Sequence, residues 1–135
     1  MPTERFNFWP KLGIMKVKGE IQVGVSTFFK RPLRFSQMER HLKSQEIMIP
    51  LTGTVLIPFR TFDNLDPSGK PFSDNIEVFE VDKQHGVILN SGIWHWTPMP
   101  LEDETSIVVI FETGTETNDL YIQNFPNEDI VNVEI

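Results

Sequence analysis

The stretch Gln37-Met38-Glu39-Arg40-His41-Leu42-Lys43-Ser44-Gln45-Glu46-Ile47-Met48-Ile49-Pro50-Leu51-Thr52-Gly53 reads as two extended segments separated by one turn. Strand side chains alternate between faces, so an extended segment before His41 sends Glu39 and His41 to the same side. Glu46, at the head of the next strand, can return toward them, and Thr52-Gly53 supplies the tight turn that ends it. An extended segment carrying Glu39 and His41, with Glu46 returning toward them from the neighbouring strand, is the unit around which the remaining sequence is arranged.

Working outward, the period of the apolar residues is two. Ile21, Val23 and Val25 share one face while Glu20, Gln22, Gly24 and Ser26 share the other. Comparable runs are Ile47–Pro50, Thr54–Phe59, Ile76–Val81, Val87–Leu89, Ser106–Phe111, Leu120–Ile122 and Ile130–Val133, rich in Val, Ile and Phe. Turn residues punctuate them at Asp63-Asn64, Asp66-Pro67-Ser68-Gly69, Ser91-Gly92 and Thr113-Gly114. No segment carries the periodicity and caps of an amphipathic helix. Many short strands with frequent turns predict an all-β antiparallel sandwich or barrel, one domain over residues 1–135. Asp63–Asn75 and Glu112–Asn118 read as exposed loops, and Phe6-Asn7-Phe8-Trp9-Pro10 as a packing lid or subunit contact.

The 135 residues are 39% hydrophobic with 11 Phe and 3 Trp, enough apolar surface for a core. Lys and Arg number 12 against 19 Asp and Glu, a formal charge of −7, whose field opposes nucleic acid. The absence of Cys removes disulfides, thiolate nucleophiles and sulfur-bound zinc. No secretory h-region follows Met1-Pro2-Thr3-Glu4-Arg5, and the aliphatic run Ile107 to Phe111 is too short for a bilayer. The expectation is a cytoplasmic protein without membrane contact.

Any metal must therefore sit on His, Asp or Glu. His95 lies in Asn90-Ser91-Gly92-Ile93-Trp94-His95-Trp96, between two strand runs far from His41. Across a closed β-fold it could face the first cluster. Glu39, His41, Glu46 and His95 would then offer two imidazole nitrogens and two carboxylates, a set that suits Mn, Fe, Ni, Co or Zn. An octahedral ion held by four protein ligands keeps two positions open for substrate or water. For His41 and Glu46 alone, a structural hydrogen-bonded pair is an equally ordinary reading. Glu39 divides between ligand, base and ion-pair partner of Arg40, and His85 next to Gly86 reads as a solvated turn histidine. Trp94 and Trp96, flanking His95 on the opposite face, read as packing residues.

The order His41-x4-Glu46-x6-Gly53 resembles the first motif of the cupins, with Glu39 where those proteins have a further histidine. Gly92-x2-His95 resembles the core of the second motif, with Asn90 in place of the usual proline. Within that superfamily, Glu39-Arg40-His41, Ile49-Pro50-Leu51-Thr52-Gly53 and Gly86-Val87 leading to Trp94-His95 resemble the ureidoglycolate lyases over Phe35 to the C-terminus, whereas Met1–Leu33 is less well matched. The resemblance implies a cupin-type jelly-roll β-barrel, commonly a homodimer, that cleaves ureidoglycolate to glyoxylate and urea in allantoin breakdown. The family commonly carries Gln where Glu46 stands and polar residues where this chain has Ile88-Leu89-Asn90-Ser91. A His that follows the first in the family is Trp96 here.

Such a reaction requires a base for the hydroxyl proton and an acid for the departing urea nitrogen. His41, Glu46 and His95 are expected to hold a divalent metal, with Glu39 as fourth ligand or general base; Glu39, His41 and His95 form the catalytic set. Gln37, on the Glu39 face, could hydrogen-bond a small carboxylated metabolite. Arg40 is the second candidate for substrate binding, although alternation points it to the opposite face. Alternatives are another metal-dependent cupin enzyme, an isomerase or dioxygenase of small metabolites, and a non-catalytic small-molecule-binding cupin.

Overall fold

The computed structural model describes residues 9–60 and 67–135. Along the chain the strands are β1 (Ile21–Phe29), β2 (Arg34–Phe35), β3 (Gln37–Arg40), β4 (Glu46–Pro50), β5 (Thr54–Arg60) and β6 (Ile76–Asp82). They continue with β7 (Val87–Leu89), β8 (Trp94–His95), β9 (Met99–Pro100), β10 (Glu104–Glu112), β11 (Tyr121–Asn124) and β12 (Val131–Asn132). One sheet has the order β1-β10-β4-β7; the other runs β11-β3-β8-β5-β6, with β9 also on β5. A short β2–β12 pair completes the set, and these strands pair antiparallel throughout the described residues. The all-β expectation is met.

Strand β5 explains the layering. Val55 and Ile57 point one way, into a core with Met48, Val81, Leu89, Ile107 and Val109 drawn from both main sheets. Leu56 points the other way, into a second core with Phe35, Met38, Trp94, Met99 and Phe125. Each such side chain contributes roughly 1.5–3 kcal/mol when fully buried. The same alternation sets the chemistry: Met38 and Trp94 enter the second core, so their neighbours Glu39 and His95 face the space between the main sheets.

Alternation in β1 runs opposite to the simplest expectation. Its apolar set lies outward, with Ile21, Val23, Val25 and Phe29 at 47%, 66%, 63% and 64% exposure. Its inward set, including Gln22, Ser26 and Phe28, lines the cavity between the sheets. A period of two groups residues by face without saying which face is inside.

The turns follow their glycines. Gly53 has φ +67, a left-handed conformation that favours glycine, and a Cβ there would also force the Glu102 carboxylate to move. Gly92 has φ +87 and donates its N–H to the His41 carbonyl at 2.6 Å, tying the turn before β8 to the turn after β3. The loop expected at Glu112–Asn118 contains one helical turn, α1 (Thr115–Asn118), entered through Gly114 in the left-handed conformation. The loop read at Asp63–Asn75 lies partly outside the described residues, as does the Phe6–Pro10 segment. Among the described residues no helix is long and apolar enough to cross a membrane.

Candidate metal centre

Four side chains converge from both main sheets. Glu39 in β3 and His95 in β8 are direct cross-strand partners, so their side chains share a face, with Glu39 Oε1 3.6 Å from His95 Nε2. His41 follows β3 and lies beside His95, ring centroids 5.3 Å apart. Glu46 opens β4 in the facing sheet, placing Oε1 3.2 Å from His41 Nε2 and 3.3 Å from His95 Nε2. Each of Glu39, His41 and His95 offers a ligand atom within 4.8 Å of the others.

Second contacts fix the imidazoles. His41 Nδ1 lies 2.7 Å from the Asp119 carbonyl and His95 Nδ1 3.1 Å from the Ile93 carbonyl. A carbonyl only accepts, so each Nδ1 carries the hydrogen and each Nε2 is left for the carboxylates or a cation. Asp119 does more. Its carboxylate accepts the backbone N–H groups of Leu42 and Lys43 at 2.9 Å and of Ser44 at 3.1 Å. One buried aspartate therefore shapes the turn between His41 and Glu46 and orients the His41 ring.

The charges respond to this arrangement. Burial pushes the Glu39 carboxyl up, against the opposing pull of His95. Burial alone would lower His41, but its contacts with Glu46 and the Asp119 carbonyl reverse that and raise it. Burial would raise Glu46 too, yet the two imidazoles hold it down at about 2. Because the folded value lies below the ordinary 4.5, the stabilisation from Glu46 is complete above 4.5 and is lost as pH falls through about 2. Thermal melts of metal-free protein and Glu46→Gln, from about pH 5 to about pH 2, should show a difference in midpoint that shrinks on acidification. A difference constant over that range would contradict the pairing.

The donor set fits a divalent ion. Glu46 Oε1 and His95 Nε2 are buried, and neither has a well-aligned hydrogen bond from the protein. Bonds of about 2.0–2.2 Å to one ion place neighbouring ligand atoms roughly 3.0–3.5 Å apart, close to the separations seen among these nitrogens and oxygens. Two imidazoles and two carboxylates accept Mn, Fe, Ni, Co or Zn alike.

The cluster sits in a cavity of about 420 Å³. Phe28, Met48, Val109, Phe111 and Leu120 form its apolar wall, while Gln22, Ser26, Thr97 and Glu116 add polar groups that the sequence did not single out. Gln22 is held in place, its amide donating to Glu116 at 3.0 Å and its carbonyl accepting from Gly114 N at 3.0 Å. The two candidate substrate residues lie elsewhere. Arg40 sits over the Trp94 ring at 4.5 Å, on the face opposite Glu39, and Gln37 pairs with Asn124 at the far end of β3; neither lines the cavity. His85 is 73% exposed and bonded to Asp82, a turn histidine. Trp94 is buried in the second core and Trp96 packs against it.

Two facing antiparallel sheets with a Glu/His cluster between them define a cupin-type jelly roll. In solved structures the fold is shared by the sugar 3,4-ketoisomerase QdtA from Thermoanaerobacterium thermosaccharolyticum, at TM-score 0.54 and 15% identity, over 74% of this chain and 64% of that one. It is shared as well by the capsular polysaccharide assembling protein CapF from Staphylococcus aureus, at TM-score 0.58 and 17% identity, over 82% and 32%. Within that fold, residues 5–133 match the ureidoglycolate lyase family, and the chain belongs to it. The match begins at residue 5, upstream of Phe35. Similar curated proteins include ureidoglycolate lyase of Brucella anthropi, 26% identical over 86% of this chain and 67% of that protein. Ureidoglycolate lyase 2 of Rhizobium meliloti is 30% identical over 64% and 50%, and the Azotobacter vinelandii enzyme 26% over 73% and 57%. The chain thus spans between half and two-thirds of the length of these relatives.

Proposed function

We propose that this chain cleaves ureidoglycolate to glyoxylate and urea, with His41, Glu46 and His95 holding a divalent metal and Glu39 carrying the proton. The observation that supports the reading is the convergence of these four side chains in one cavity of a ureidoglycolate lyase family member. When bound, the ion supplies Lewis acidity toward the substrate's hydroxyl and carboxylate oxygens.

Ureidoglycolate is a hemiaminal: one carbon carries the hydroxyl, the carboxylate and a urea nitrogen. The Glu39 carboxylate takes the hydroxyl proton. The O–H electrons become the second bond of the glyoxylate C=O, and the C–N pair leaves with nitrogen. The same carboxyl then returns its proton to that nitrogen, completing urea. Only one proton moves, from oxygen to nitrogen, so a single carboxyl closes the cycle. Burial raises Glu39 toward the range where proton transfer works in both directions, whereas Glu46, at about 2, is the weaker base and the better permanent anion. The main-chain carbonyls of Asp119 and Ile93 keep both Nε2 atoms aimed at the centre.

One feature favours a second reading. Among the described residues lining the cavity there is no Lys or Arg, so a substrate carboxylate finds no cationic side chain there. This suits a metal-dependent cupin acting on a different small metabolite, by isomerisation or dioxygenation, or a binder without turnover. Incubating metal-loaded protein with ureidoglycolate decides between them. The proposed function requires urea and glyoxylate in equal amounts; metal-loaded protein that releases neither refutes it.

A further inference from the structure

We infer that a second site, a lysine-walled groove on the outer side of the turns that carry His41 and precede His95, binds a small multivalent anion of the phosphate class. The groove encloses about 410 Å³ and shares no lining residue with the Glu/His cavity. Lys16 and Lys18 enter from the N-terminal segment and Lys43 from the turn after His41. None of the three ammonium groups forms an ion pair among the described residues.

The one carboxylate in the lining, Glu112, is already engaged. Its Oε1 accepts the backbone N–H of Lys18 at 2.8 Å and of Gly19 at 3.3 Å. Three cations against one occupied anion leave a local positive field on a chain whose formal charge is −7. Such a reversal of sign concentrates small anions at the groove, and three separate ammonium groups suit a compact ion with several oxygens. Neutral donors complete the site. The Gln45 amide donates to Asn90 Oδ1 at 2.7 Å, which orders the floor and leaves the Asn90 amide nitrogen and the Ser91 hydroxyl to reach a ligand oxygen.

The floor is stiff. Lys16 N donates to Gln45 Oε1 at 2.7 Å, Gly92 N to the His41 carbonyl, and Lys43 N to Asp119. These contacts fix the backbone beneath the groove, while the three lysine side chains stay exposed to meet a ligand.

Inorganic phosphate is the probe, titrated into protein as purified at ionic strength held constant with sodium chloride and followed by amide chemical shifts. Saturable shifts are expected at Lys16, Lys43, Gln45 and Ser91, with affinity at least tenfold weaker in the Lys16→Gln/Lys18→Gln/Lys43→Gln variant at an unchanged thermal midpoint. Should that variant fail to fold, the three single substitutions serve, each weakening binding about twofold or more. Shifts that do not saturate, shifts confined to the Glu/His cavity, or affinity unaltered by the substitutions would overturn the site.

Discussion

Replacing His95 with Ala is expected to reduce bound divalent metal from about one ion per chain to less than a tenth, and glyoxylate release by at least about 10³-fold. His95 Nε2 stands within 3.3 Å of Glu46 and 3.6 Å of Glu39, so it is the imidazole shared by both carboxylates. Its removal takes one imidazole from the centre, leaving Glu39 without its cross-strand partner and Glu46 with His41 alone. The expected loss exceeds the 10–100-fold typical of a residue that only supports a ligand. Elemental analysis and a product assay on the same preparation check it, with the thermal midpoint showing that the variant folds. Full metal content together with undiminished release would remove His95 from the centre.

The second large effect is at Asp119. Asp119→Ala should destabilise the protein by about 2–4 kcal/mol, because three backbone N–H groups lose their acceptor, one of them on a buried serine. It should also weaken metal binding by about 10–100-fold, because the turn that positions His41 and Glu46 loses its carboxylate anchor, although the main-chain carbonyl on the His41 ring remains. Asp119→Asn keeps one acceptor oxygen and turns a donor toward the remaining N–H groups, so it should lie between Ala and the native protein. Denaturation of the metal-free chain and metal titration of the folded chain separate the two effects. Lower stability with native metal affinity would make Asp119 a folding residue with no bearing on the centre.

Asp119 also marks where sequence reading stops. The alternation in Glu39-Arg40-His41 places Glu39 and His41 on one side, and Gly92-x2-His95 is a spacing with a known precedent, so these three are legible. Glu46 is legible because it begins the strand that follows one turn later. Asp119 meets that turn from 75 to 78 residues away: its carboxylate takes three backbone N–H groups, which every residue but proline presents, and its main-chain carbonyl, which every residue carries, takes the His41 ring. No pattern of side chains announces such a contact. Its local sign is that it follows the helical turn α1, in a segment the alternation leaves unassigned.

Strand β1 shows a related limit. Ile21, Val23 and Val25 group correctly by face, yet the apolar face lies outward and Gln22 and Ser26 reach the cavity. Burial depends on which sheet lies opposite, and that is fixed by β10 and the long-range pairing rather than by β1. Arg40 behaves as alternation requires, leaving the Glu39 face for the Trp94 ring, where its planar cation gains from the aromatic face. Gln37 shares the Glu39 side in the pleat, but it sits at the end of β3 where the cavity does not extend. Faces were readable; depth along a strand was not.

The most direct test of the metal centre is X-ray absorption on the chain loaded with one equivalent of zinc. A first shell of nitrogen and oxygen at about 2.0–2.2 Å is expected, with the multiple-scattering pattern of two imidazoles that falls to one in His41→Ala. A spectrum without imidazole scattering, or one that His41→Ala leaves unchanged, would contradict it.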